Sequence, residues 1–127
     1  MKTFLAVGLL AVVLFFSGCT QAPPAGNGQR GNTVEITATG FSPQSLVVKA
    51  GDTVTFVNKD SALHWPASAL HPTHNEYPEP GGCIGSKFDS CKGLEQGESF
   101  SFKFDVKGTW RYHNHLNPTM FGSITVE

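Results

Sequence analysis

Glu98–Val106 (ESFSFKFDV) alternates strictly between aromatic and polar residues, with Phe100, Phe102 and Phe104 on one side and Ser101, Lys103 and Asp105 on the other. A period of two cannot form one face of a helix, so the segment is a strand with one buried face. Thr33–Ala38 (TVEITA) alternates too, and Ser45–Asn58 (SLVVKAGDTVTFVN) gives two β-branched runs broken by Ala50-Gly51-Asp52. The segments GTWRYHNH and GSITVE supply the last strands. No convincing amphipathic helix appears, and about 6–8 short strands with turn residues between them make an all-β sandwich.

The chain has 127 residues and a formal net charge of -1, enough for one compact domain. Its nine Lys and Arg are scattered singly, so no basic stripe marks a nucleic-acid partner. The N-terminus carries Lys2, an apolar run from Phe4 to Phe16, then Ser17-Gly18-Cys19. This run is too short and too unevenly flanked for a good membrane span, and it reads as a secretory signal over residues 1–18. The ending FSGC resembles the bacterial lipobox, which makes Cys19 a lipidation site; an ordinary cleavable signal is the plainer reading. Residues 19–32 then form the lipidated cysteine and a Gly/Pro-rich tether, and residues 33–127 the globular domain. These expectations place the protein outside the cytoplasm, periplasmic or at the cell surface, held to a membrane by a lipid anchor.

With Cys19 assigned to the anchor, Cys83 and Cys91 remain as an even pair, and a disulfide between them is expected in an oxidising compartment. Metal ligation by the pair is the sharper alternative, but thiolate zinc sites show tighter spacing and usually a second pair. The two cysteines lie in a long, aperiodic stretch between Asp60 and Gly97 that also holds His64, His71 and His74. Loops this long in a compact domain are usually functional or disordered, and three histidines favour function. Glu76 and Glu79 look solvated, and Asp60-Ser61 reads as a turn. The remaining histidines, His113 and His115, stand two apart on a strand, so both imidazoles project to one face while Trp110 and Tyr112 turn towards the core.

The stretch GDTVTFVNKDSALHW resembles the strand and loop that carry the first histidine ligand of cupredoxins, copper-binding β-sandwiches, and places His64 at that ligand. KGTWRYHNHLNPTMFGSITV is similar to the C-terminal motif of the same family. The resemblance spans about Val34 to Val126 and implies a Greek-key β-sandwich with one long disulfide-pinned loop. Aligned without gaps, the family's cysteine ligand falls on Asn114, its second histidine on Asn117 and its axial methionine on Met120. Shifting the loop to make His115 the second histidine puts Tyr112 in the cysteine place instead. Either way the thiolate that a blue copper site requires is missing. Met120 then reads as a packing residue or pocket wall. The run WRYHNH also resembles the W-Y-H-x-H motif of multicopper oxidase domains, whose histidines bind non-blue copper.

From this resemblance His64, His113 and His115 are expected to meet at one pole of the sandwich, with His71 or His74 as a fourth ligand. Nitrogen donors without sulfur suit Cu(II) in tetragonal geometry, with zinc as the competitor. The expected role is capture, buffering or delivery of copper, with a cuproprotein or copper donor as partner and binding favoured over turnover. A mononuclear copper redox enzyme or electron carrier and a metal-free adhesion or scaffold sandwich are the alternatives.

Overall fold

A computed structural model of the chain describes residues 31–127. Eight strands follow one another: β1 (Thr33–Thr37), β2 (Gly40–Ser42), β3 (Ser45–Val48), β4 (Asp52–Asn58), β5 (Pro66–Ser68), β6 (Ser99–Phe104), β7 (Gly108–Asn114) and β8 (Asn117–Val126). No helix occurs among these residues, and none is long and apolar enough to cross a membrane. The segments expected to be a signal sequence, a lipidated Cys19 and nearly all of a tether lie outside the described residues.

The strands form two four-stranded mixed sheets, ordered β2-β1-β4-β6 and β3-β8-β7-β5. Parallel pairing of β1 with β4 and of β3 with β8 locks each sheet across distant parts of the chain. Alternation in the sequence becomes alternation in space. Val54 and Phe56 of β4 and Val34 and Ile36 of β1 are fully buried, and Phe104 of β6 joins them, with Phe100 and Phe102 packed at the margin. Opposite them stand Tyr112 of β7 and Ile124 and Val126 of β8. Burying each large apolar side chain contributes about 1.5–3 kcal/mol, which makes this interlayer the main source of stability.

The long connection between β4 and β6 is not a loose loop. It lends Tyr77, Phe88 and Leu94 to the core, all at most 1% exposed. Tyr77 packs edge-on against Phe102, Phe104 and Trp110, and its hydroxyl accepts hydrogen bonds from the backbone amides of Asp105 and Val106. The Cys83–Cys91 disulfide is formed, as the cysteine count leads one to expect. With its middle pinned in this way, the connection lies over the far end of β7, where Tyr112, His113 and Asn114 are all buried. That end is covered on both faces.

Candidate metal centre

Ser68 to Tyr77 is tied to β7 by the Ala69 amide, which donates to the Arg111 carbonyl at 2.9 Å, and is folded on itself by further hydrogen bonds. The Tyr77 amide donates to Ser68 Oγ at 2.9 Å, the Glu76 amide to the Ala69 carbonyl at 2.7 Å and the His74 amide to the Leu70 carbonyl at 2.7 Å. The Glu76 carboxylate accepts from the Arg111 amide at 3.0 Å and from its Nη2 at 2.7 Å, so Glu76 is a strap to β7 and not a solvated side chain. His74 has φ of 50°, a left-handed conformation uncommon for a residue with a Cβ. The result is that His71 and His74 hang over His113 and His115.

These four histidines each offer a ring nitrogen within 4.8 Å of the others. Ring centroids along four edges are 4.7, 4.9, 4.9 and 5.3 Å apart, whereas the two diagonals, His71–His74 and His113–His115, measure 6.3 and 6.4 Å. The ring centroids thus surround a common point, with His71 facing His74 and His113 facing His115 across it. His74 Nε2 lies 2.9 Å from His115 Nδ1. The two rings share a hydrogen bond at this distance, which is also the spacing of two nitrogens held at right angles about 2.0–2.1 Å from one ion.

His113 is 4% exposed, and neither of its ring nitrogens has a hydrogen-bond partner. A buried imidazole left unpaired costs free energy, and a cation is the partner that would remove the cost. Burial, reinforced by His74, His71 and His115, pushes the His113 pKa down to about 4. Burial and the neighbouring His74 and His71 also lower that of His115. His113 therefore stays neutral, with a lone pair free, at pH near neutrality, and the same causes favour the neutral ring at His115. The residues fit an imidazole-bound divalent ion.

Asp89, which nothing in the sequence singles out, orients the cluster from behind. Its fully buried carboxylate contacts His74 Nδ1 at 2.6 Å, and it accepts from Trp65 Nε1 at 2.6 Å and from the Cys91 amide at 2.8 Å. A carboxylate on Nδ1 fixes that nitrogen as the protonated one and turns the Nε2 lone pair inward, the arrangement that supports metal-ligating histidines. Trp65 in turn lies 4.6 Å, centroid to centroid, from His115, whose amide donates to the Trp65 carbonyl.

His64 does not join this group, contrary to the sequence expectation. Its Nε2 meets Asp60 at 2.8 Å and its Nδ1 meets Asn114 Nδ2 at 2.9 Å, so both ring nitrogens are engaged. The His64 hydrogen bond holds the Asp60 carboxyl below its usual value. Asn114 Nδ2 also lies 3.7 Å from Met120 Sδ, while Asn114 Oδ1 accepts from the Trp65 and Leu116 amides. Asn114 therefore sits between His64 and Met120, where the ungapped alignment puts the cysteine, and ties three segments together. Strand alternation separates the two clusters: a register irregularity falls between His113 and Asn114, and the two side chains point to different sets of partners.

The fold and the four-imidazole cluster define a β-sandwich with a candidate metal centre at one pole. A family described as "Cupredoxin-like domain" matches residues 6–126, and the chain belongs to it. Plastocyanin of Scenedesmus fuscus is 36% identical over 90 residues, covering 68% of this chain and 86% of that protein. Amicyanin of Paracoccus denitrificans is 28% identical over 94 residues, 74% of this chain and 63% of the relative. Among solved structures, a purple cupredoxin from Nitrosopumilus maritimus matches with a TM-score of 0.60 and 25% identity, covering 75% of this chain and 98% of that one. An amicyanin variant in its Cu(I) form matches with a TM-score of 0.56 and 27% identity, covering 75% of this chain and 80% of its own.

Proposed function

We propose that this protein captures and holds copper outside the cytoplasm through His71, His74, His113 and His115, and passes it on as cargo to a cuproprotein partner. The carrying observation is His113, a buried imidazole with both nitrogens unpartnered in the middle of three others. Four nitrogen donors without sulfur suit Cu(II), which stands above zinc in the affinity order for such sites; zinc is the competitor. Exposed His71 is the ligand best placed to meet an arriving ion or a receiving partner, because its ring reaches the cluster from the solvent side. Blue electron transfer is disfavoured: Asn114 occupies the thiolate place, and the only cysteines among the described residues are joined to each other. Cys19 would tether the domain to the membrane face, and the disulfide suits an oxidising compartment.

Competition titration of the full chain with Cu(II) and Zn(II) tests this reading. Binding should favour Cu(II), collapse in His113→Ala and persist in His64→Ala. Unchanged affinity in His113→Ala, or loss confined to His64→Ala, would reject it; tighter Zn(II) binding would reassign the metal.

A further inference from the structure

A second set of metal-binding atoms lies just behind the first. Cys83 Sγ, Cys91 Sγ and a carboxylate oxygen of Asp89 fall within 4.8 Å of one another, and both cysteines are exposed. Asp89 belongs to both sets, through His74 on one side and the Cys91 amide on the other.

The segments that carry the two sulfurs are held by contacts independent of the bond between them. Phe88 is fully buried, the Ser68 amide donates to its carbonyl at 2.7 Å, and the Ser90 amide donates to the Pro66 carbonyl at 3.0 Å. On the Cys83 side, the Lys87 amide donates to the Glu79 carbonyl at 2.9 Å. Gly85 packs so closely on the Thr73 carbonyl that a Cβ there would collide with it. Breaking the disulfide would therefore leave Cys83 and Cys91, both exposed residues, near their present Cα separation of 5.8 Å. An exposed disulfide on a scaffold that survives its loss is open to thiol exchange.

We propose that Cys83 and Cys91 form a redox-gated second site, closed as a disulfide and, once reduced by a partner dithiol, a two-thiolate site for Cu(I). In the reduction the partner's two thiols become a disulfide, and two electrons and two protons pass to Cys83 and Cys91. Binding then replaces the two thiol protons with one Cu(I) and releases them to water. Thiolates select soft, monovalent copper. Zinc is disfavoured because Asp89 is already committed to three donors, which leaves no four-ligand set. The protein thus carries nitrogen ligands for the oxidised ion and sulfur ligands for the reduced one, on either side of a single carboxylate. Passage of copper between them rests on the function proposed above; the dithiol site itself does not.

The test reduces the full chain with a phosphine, removes the reductant without oxygen, and offers Cu(I) as its bicinchoninate complex. The reduced protein should withdraw about one more equivalent than the disulfide form. That extra equivalent should vanish after iodoacetamide alkylation or in C83S/C91S, and remain in H113A/H115A. If reduction adds no Cu(I) binding, or alkylated protein binds as much, the proposal is wrong, whatever the Cu(II) titration gives. Loss of the extra equivalent in H113A/H115A would also overturn it, because the histidines would then be the ligands. Alkylation of wild-type protein keeps the test valid if the double serine variant does not fold.

Discussion

Replacing Asp89 with Asn changes one atom and leaves the shape of the site intact. The Asn carbonyl oxygen can still accept from Trp65 Nε1 and the Cys91 amide, now at 2.6 and 2.8 Å from the carboxylate. Its NH2 group then faces His74 Nδ1, where the carboxylate oxygen now sits at 2.6 Å. A donor facing that nitrogen forces it to accept, so the ring proton moves to Nε2, the atom aimed at His115 and the centre of the cluster. To bind copper the variant must flip the tautomer back against a donor. Loss of such an outer carboxylate weakens metal binding by about 10–100-fold, or about 1.4–2.7 kcal/mol. Cu(II) competition against nitrilotriacetate measures this directly, with far-ultraviolet circular dichroism as a check that the fold is retained. Asp89→Ala is the poorer probe, because it strands three donors at about 1–3 kcal/mol each and threatens folding itself. An Asp89→Asn affinity within twofold of wild type would refute the orienting role of the carboxylate.

Three further outcomes are expected. The metal-free protein should lose stability as pH falls from about 6.5 towards 4, because the unfolded chain takes up a proton there that folded His113, held at about 4, refuses; the loss is at most about 3 kcal/mol, reduced to about 2 by solvent screening, and it should flatten in His113→Ala melts. Tyr112→Phe should be neutral or raise stability by up to about 1 kcal/mol in urea titrations, since the Tyr112 hydroxyl is buried without a partner and burial pushes its pKa up. Asn114→Cys combined with Asn117→His should produce an intense visible band on copper addition, because it returns a thiolate to a pocket that already holds His64 and Met120; a colourless protein would show that this pocket is not the family's thiolate site.

The longer strands were legible because each needs only its own alternation, as Phe100, Phe102 and Phe104 announce β6; the three-residue β2 and β5 are too short to show any period and were not. His113 and His115 were read as a pair from their spacing alone, although β7 ends at Asn114 and His115 stands in the turn beyond it. His64 was read by its place in a family motif, and there the chemistry had changed. With Asn114 in the thiolate position the pocket closes into hydrogen bonds, and the imidazole is used up by Asn114 and Asp60. Asp89 and Glu76 left no trace in the sequence. A lone acidic residue in a loop looks solvated until the fold sets it beside His74 or Arg111, partners it meets only across the turns of a long connection.

The proposed site would hold one Cu(II) among four imidazoles from the 71–74 loop and the end of β7. Pulsed electron spin resonance of the copper-loaded protein counts the nitrogens around the ion. A tetragonal, weakly coloured centre with four histidine nitrogens is expected, and fewer in His113→Ala. A thiolate-type signal in the wild type, or an unchanged nitrogen count after that substitution, would contradict it.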